Sequence, residues 1–471
     1  MDSVLPQTCH PLTPPQYNAH WQDPSRTDFI WLGLLFAILN VTMLAYQQHG
    51  EPPAYEGISE SLFQLYRVRT SQCLLSGDIA KCRPYTVETL RLNATAELNR
   101  TDDNRRGLWI MSAVVVRAAI NMGYHRDPAH MKPPMPARQA EYRRRVWSSV
   151  ACMDDMASFL GGFPRMVPAA RADTAEPRNL HDWELDALSE DDVLPPSRPL
   201  TEPTETTYMI VKGRLYRALG RVADFNSAPT LGSIDELAEV DRGLQDAYDS
   251  FPSHMTQLPS ITTATNIIPG QDEGSIPDLT ALGLLAMYHS GVCALHRKFL
   301  SRAHADPARL GFSRDRCLSS ALAVLDMQPL LPPPLYAQCQ ARQMMVPPAM
   351  VLLLELELRR RGSGSEETEG TPESGVLIEA LERACGSWDK ARGACEEAGR
   401  VHQLLVGMLA GFRPEGAGSG NTTMDAVKRC ESSPRLEEPD WGFSFERELS
   451  GIDFDWVGLP LFSMFFDGAV S

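Results

Sequence analysis

NRRGLWIMSAVVVRAAINMG, residues 104–123, decides the fold class. Its apolar residues Leu108, Met111, Val115, Ala118 and Met122 recur at spacings of three and four, the period of one helical face. Asp102 to Asn104 offer an N-cap, and Gly123 suits a left-handed C-cap. Pro128, Pro133, Pro134 and Pro136 then bar a helix until about Arg138. From there RQAEYRRRVWSSVACMDDMASFL, residues 138–160, runs to the stop at Gly161 and Gly162. On this second helix Tyr142, Val146, Met153, Ala157 and Leu160 share one face, while Arg143, Trp147 and Asp154 lie about a quarter-turn away. A helix with two occupied faces needs neighbours on more than one side, as in the middle of a bundle.

Outward from this pair the same period predicts helices over 29–46, 58–75, 84–99, 207–224, 233–250, 277–300, 313–326, 340–360 and 376–412. Sustained apolar/polar alternation is missing, so the fold class is all-α: a large multi-helix bundle with a flexible N-terminal segment and a C-terminal tail. The composition divides the chain into a polar, proline-containing segment over 1–28 and a helical body over 29–360. A linker over 361–375, a closing helix over 376–412, and a second linker with an acidic-aromatic tail over 413–471 follow. The proline- and acid-rich stretch 186–203 reads as a loop within the body.

The 471 residues are 43% apolar, enough for a large core, and carry a net charge of −16. That charge repels phosphate backbones, and the basic triplets Arg143–Arg145 and Arg359–Arg361 read as helix faces rather than nucleic-acid sites. Ten irregularly spaced cysteines without one C-x-x-C pair fit reduced, buried thiols in an intracellular protein. Sequons at Asn40, Asn93, Asn99 and Asn421 are then chance matches, since no apolar signal core precedes them. FIWLGLLFAILNVTMLAY, residues 29–46, approaches the ~20 apolar residues of a bilayer span. Asn40 and Thr42 interrupt it and no basic residue flanks it, so it reads as a core helix, with no membrane as partner.

The catalytic templates fail one by one. Asp154-Asp155 suggests a terpene-cyclase-like magnesium site, but Ala157 and Ser158 stand where a third acid belongs. Tyr124-His125-Arg126-Asp127 looks like a kinase catalytic loop, but Lys132 occupies the place of its metal-holding Asn. His125 and His130 stand apart from any Cys or acid cluster. No phosphate loop, nucleophile elbow or H-E-x-x-H helix occurs, so no catalytic, cofactor-binding or metal-binding residue is assigned.

Three fragments in series carry a more specific signal: NMGYHRDP, AEYRRRVWSSVACMDDMASFLGGFPRMV and DTAEPRNLHDWELD. Their order and spacing resemble the middle regulatory region of fungal binuclear zinc-cluster transcription factors. The resemblance rests on Gly123, His125, Arg126 and Asp127; on Glu141, Arg143, Arg144, Arg145, Trp147 and Asp154; on Gly162 and Pro164; and on Asp173, Pro177 and Asn179. It extends over roughly residues 29–412 through LLFAILNVTMLAY, YTVETL and ALHRKFL. Three positions depart from it: Ser148 replaces a frequent second Trp, Asp155 an Arg, and Phe163 the Arg of a G-R-P turn. Asp154 lies about 16 Å along the axis from Arg143, too far to pair, so its expected partner is Arg165. The Arg, Trp and Asp set is expected to hold fold and interhelical register without touching a ligand.

The resemblance implies a nuclear transcription regulator, not an enzyme, such as one controlling a secondary-metabolite gene cluster. Relatives open with six zinc-holding cysteines, whereas only Cys9 precedes Cys73 here. The implied partners are therefore the transcription machinery or a DNA-binding protein. Direct DNA contact is expected only if a zinc-cluster exon is missing from this chain, and a homodimer is compatible. In the tail, Phe445, Phe454, Trp456, Phe462 and Phe465 alternate with acids, as in effector segments that dock into partner grooves. The alternative reading is a small-molecule-binding helical receptor or a metal-dependent cyclase that uses the bundle interior as a pocket.

Overall fold

The computed structural model describes residues 14–99, 105–189, 192–230, 232–256, 279–332, 335–336, 339–361, 372–393 and 396–412. Among these residues the protein is all-α, with no strand. Helices α1 (Pro14–Gln22), α2 (Phe29–His49), α3 (Ser59–Ser76), α4 (Thr86–Leu98), α5 (Arg105–Asn121) and α6 (Ala137–Gly161) build the first half. After the short α7 (Asp182–Asp186) come α8 (Thr207–Ser227) and α9 (Ile234–Asp249). The second half comprises α10 (Leu279–His296), α11 (Leu300–Ala305), α12 (Pro307–Met327), α13 (Cys339–Arg361), α14 (Ser374–Lys390) and α15 (Glu396–Ala410).

Local chemistry sets several ends. Gly123, at φ +74°, follows α5, and Gly162, at φ +64°, caps α6, so both glycines take the left-handed backbone expected of them. Ser233 and Glu236 form a reciprocal capping box that starts α9. The N-cap expected at Asp102–Asn104 lies outside the described residues.

Two findings differ from the sequence pattern. Residues 14–22, within the polar segment, form a helix whose Gln16 donates to the Tyr85 hydroxyl at 2.9 Å. The helix expected over 376–412 is two, α14 and α15, because the backbone turns at Ala391–Gly393.

The apolar α2 is long enough to cross a membrane by length and composition. It lies against α3 and α4, with Ile30, Leu34, Ala37, Val41, Met43 and Leu44 buried. Its polar interruption is satisfied internally, since Asn40 donates to the Phe63 carbonyl at 3.1 Å. Asn40 and Asn93 are both buried, which leaves these two sequons out of reach of a glycan. Cys73, Cys152, Cys293, Cys317 and Cys385 are buried free thiols. One apolar cluster runs from Ile30 through Val150, Leu219, Leu285 and Leu352 to Leu409, and α6 lies within it against α5 and α8.

Candidate functional site

The residues singled out in the sequence converge on α6. Arg143, Arg144 and Arg145 follow one another at about 100° steps, so each points to a different neighbour. Arg143 donates to the Met122 carbonyl at 2.7 Å and lies 4.2 Å over the Tyr124 ring, closing the end of α5. Arg144 forms a two-pronged bond with Asp127, at 2.9 and 2.7 Å. Arg145, only 1% exposed, reaches Asp182 at 2.6 Å. Three consecutive guanidiniums thus draw the 122–127 segment and the start of α7 onto one helix.

Asp127 is the best-satisfied acid of the group. Besides Arg144 it accepts from the Ala129 and Ala175 amides, and its own amide donates to Asp173 at 2.9 Å. The Arg144 bond, aided by those amides, holds its carboxyl far below the usual range despite burial. Glu141 is fully buried beside Arg145 at 3.6 Å and accepts from the Arg178 amide at 2.9 Å; burial nevertheless raises it. His125 lies tilted against Trp147 at 6.3 Å between centroids, and burial lowers its pKa. Arg126 and His130 remain at the surface near Asp173, at 3.8 and 3.3 Å.

At the far end of α6 the expected Arg165–Asp154 pair is replaced by Arg165–Asp155 at 2.9 Å, with Asp224 of α8 as the second partner of Arg165 at 2.5 Å. Asp154 instead accepts from the Met166 and Val167 amides at 2.7 and 2.8 Å. Adjacent helical residues point about 100° apart, so only one of the two acids can face α8 while the other faces the turn after Gly162. Burial raises both, Asp155 to about 7. Asp154 Oδ2 is engaged by the two amides and Asp155 Oδ1 by Arg165, and among the described residues no third His, Cys, Asp or Glu joins them to form a group that could hold a metal ion.

The turn itself is closed by Phe163, whose ring lies 4.6 Å from that of Trp109, and by the Pro164 carbonyl, which accepts from the Trp109 indole at 3.1 Å. Asn179 staples the loop before α8: its amide nitrogen donates to the Pro199 and Glu202 carbonyls, and its oxygen accepts from Thr204 and Thr207.

Sequence reasoning brought His125, Arg126, Asp127, Glu141, Arg143, Arg144, Arg145, Trp147, Asp154, Gly162 and Pro164 together, and they do surround one helix. It missed Asp182, Asp224, Glu88 and Gly220. Glu88 accepts from both Tyr124 and Tyr142, at 3.1 and 2.8 Å, and a methyl group on Gly220 would overlap the Asp155–Arg165 pair. No sequence spacing marks these four, since each is joined to α6 only through the tertiary fold. Phe445, Phe454, Trp456, Phe462 and Phe465 lie outside the described residues.

Residues 21–212, which contain α6 and the partners named above except Asp224 and Gly220, match the family described as "Fungal specific transcription factor domain". The chain is 35% identical over 313 residues to the Zn(2)-C6 fungal-type transcription factor pigI of Monascus ruber, a match covering 66% of this chain and 37% of the relative. It is 34% identical over 332 residues to the pyrrolocin cluster transcription factor fsdR of a fungal species (strain NRRL 50135), covering 67% and 41%. It is 30% identical over 415 residues to the equisetin cluster transcription factor eqxF of Fusarium heterosporum, covering 84% and 57%. The chain therefore spans between about a third and somewhat over half of the length of these relatives. No solved structure matches.

Proposed function

We propose that this chain, whose residues 21–212 are a fungal specific transcription factor domain, regulates transcription of a secondary-metabolite gene cluster. The observation that carries the reading is the long similarity to cluster regulators, 313 residues at 35% identity for pigI and 415 at 30% for eqxF. The helical region acts in the nucleus as a regulatory body. It works through the transcription machinery or a DNA-binding partner, and touches DNA itself only if a zinc cluster accompanies it. In this reading the α6 arginines and acids hold interhelical register. Their support is that Arg144, Arg145 and Arg165 each find a carboxylate within the domain. The acidic-aromatic residues Phe445, Phe454, Trp456, Phe462 and Phe465 serve as the effector surface.

The test is a fusion of the full chain to a heterologous DNA-binding domain in a reporter strain, with and without residues 441–471. Loss of most reporter output on deletion is expected, and undiminished output would remove the tail from the mechanism. Deleting the gene, followed by transcript profiling, is expected to silence one contiguous biosynthetic cluster; an unchanged transcriptome would overturn the regulator reading.

A further inference from the structure

Near the N-terminus lies a cavity of about 570 Å³, formed by α1, the turn that follows it, the start of α2 and the connector before α4. Its volume falls within the roughly 300–1,000 Å³ of small-molecule sites. Trp31, only 7% exposed, is the buried part of its lining, while His20 of α1 and Tyr85 of the connector are half-buried. The His20 and Trp31 rings lie 5.4 Å apart, tilted by 40°. Gln16 donates to the Tyr85 hydroxyl at 2.9 Å, which ties α1 to the connector. His20 Nδ1 meets the Thr27 hydroxyl at 2.8 Å and fixes the ring against the turn.

The polar groups of this lining are unevenly satisfied. The Trp31 indole N–H is buried and has no hydrogen-bond partner among the described residues. Such donors are rare, because burial strips them of water and the loss is not made good. The Tyr85 hydroxyl oxygen already accepts from Gln16, which leaves its own hydrogen free to donate. The charges, by contrast, are answered: Arg83 bonds Asp28 at 2.6 Å and Arg26 bonds Asp23 at 3.2 Å, two cations against two anions. Tyr85 also holds a left-handed backbone at φ +70°, strained for a residue with a Cβ, and strain of this kind gathers at ligand-holding positions.

We propose that this cavity binds an uncharged, flat aromatic compound bearing a carbonyl oxygen, its rings against His20, Trp31 and Tyr85 and its oxygen accepting from the Trp31 indole. Flatness follows from the ring-lined wall, the acceptor from the unanswered N–H, and neutrality from charges that are already paired. Gln16, Ala19 and His20 precede the family-matched residues 21–212, so part of the site is supplied from outside that domain. The site stands apart from the regulator reading, because binding is measured without transcription.

The probe is chromone, neutral and flat with one ring carbonyl, titrated into the full chain carrying nitrogen-15-labelled tryptophan. The indole N–H signal that disappears in Trp31→Phe is expected to shift saturably, and further than those of the other seven tryptophans. Trp31→Phe keeps a ring but lacks the N–H, and should bind chromone about five- to tenfold more weakly. Benzofuran, flat but without the carbonyl, should lose a similar factor against the wild type. Chromone-2-carboxylate should lose more than about tenfold, because its charge finds no free partner. Should Trp31→Phe fail to fold, Ala19→Trp fills the cavity from an exposed position on α1, no described side chain of which is buried. It is expected to abolish binding at unchanged thermal stability. Absence of saturable binding, a Trp31 signal that stays while others move, benzofuran or the carboxylate binding as tightly as chromone, or an Ala19→Trp protein that binds as wild type does would each overturn the site.

Discussion

Two buried carboxylates, one in each half of the chain, are driven in opposite directions. Asp155 on α6 meets a single guanidinium, Arg165, which it shares with Asp224; burial prevails and lifts it to about 7. Glu355 on α13 is buried as well, and burial alone would raise it. Yet His304, Arg314 and Arg359 converge on it at 3.0, 2.5 and 2.7 Å, and these bonds hold it down at about 2. Burial alone does not decide the charge of an acid. The number of donors brought to it does, because each hydrogen bond to the ionised form offsets part of a desolvation cost that one partner cannot cover.

The sharpest way to break this contrast is Glu355→Gln. The amide keeps the shape but leaves Arg314, Arg359 and His304 facing one another without an anion, across α11, α12 and α13. Removing one partner of a buried ionic group costs about 3–5 kcal/mol. Urea unfolding is expected to show a loss of that size at pH 7, and a loss below about 1 kcal/mol would mean that solvent, not Glu355, neutralises the cluster. Wild-type stability from this site is present above pH 4.5 and is lost as pH falls toward 2, because the folded pKa lies below the unfolded value.

The two sites also differ in how far they could be read beforehand. The α6 constellation was legible because its members lie in one run and because regular helix geometry forces Arg143, Arg144 and Arg145 apart. Their partners were less so. Asp127 and Met122 are near in sequence, but Asp182 lies 37 residues from Arg145, and Asp224 59 from Arg165. The choice of Asp155 over Asp154 depended on where α8 packs, which periodicity does not encode. Of the Glu355 cluster only Arg359, one helical turn away on the same helix, was within reach of the sequence, since Arg314 lies 41 residues upstream and His304 51, within helices whose patterns read simply as amphipathic. Helix positions were recovered well because burial repeats with helical period, whereas the break at Ala391–Gly393 lies within a continuous periodic run.

A smaller effect is expected from Gly220→Ala, which tests whether the thinly supported Asp155 pair depends on space ceded by α8. The added Cβ would lie 2.5 Å from Arg165 Cδ and closer still to Asp155 Oδ1. Overpacking of this kind costs about 1–3 kcal/mol, against about 1 kcal/mol gained from alanine's helix propensity. A net loss of up to about 2 kcal/mol is expected, and it should shrink in the Gly220→Ala, Asp155→Ala double variant because the clash with Asp155 is removed and Arg165 is freed to shift. Strict additivity in that double-mutant cycle would show that Gly220 is not the cradle of the pair.

The effect with the most distinctive signature, vanishing at low pH, is Asp155→Asn. A folded pKa of about 7 lies above the ordinary aspartate value of 3.8, so well below pH 4 the acid is protonated in both states and costs nothing. As pH rises from about 4 to about 7 the unfolded chain ionises while the folded one resists, and wild-type stability falls; above 7 the loss levels off. This slope runs opposite to that of Glu355, whose contribution grows between pH 2 and 4.5. Asparagine mimics the protonated acid, so the variant should match wild type well below pH 4, lose the fall between pH 4 and 7, and stand above wild type by a few kcal/mol at pH 7, at about 1.4 kcal/mol per unit of the raised pKa. Arg165 remains held by Asp224 in the variant, which keeps the turn after α6 in place. Chemical unfolding of both proteins at unit pH steps measures the difference directly. A variant curve parallel to wild type from pH 4 to 7 would mean that Arg165 keeps Asp155 ionised, and that one guanidinium is after all sufficient to hold a buried carboxylate charged.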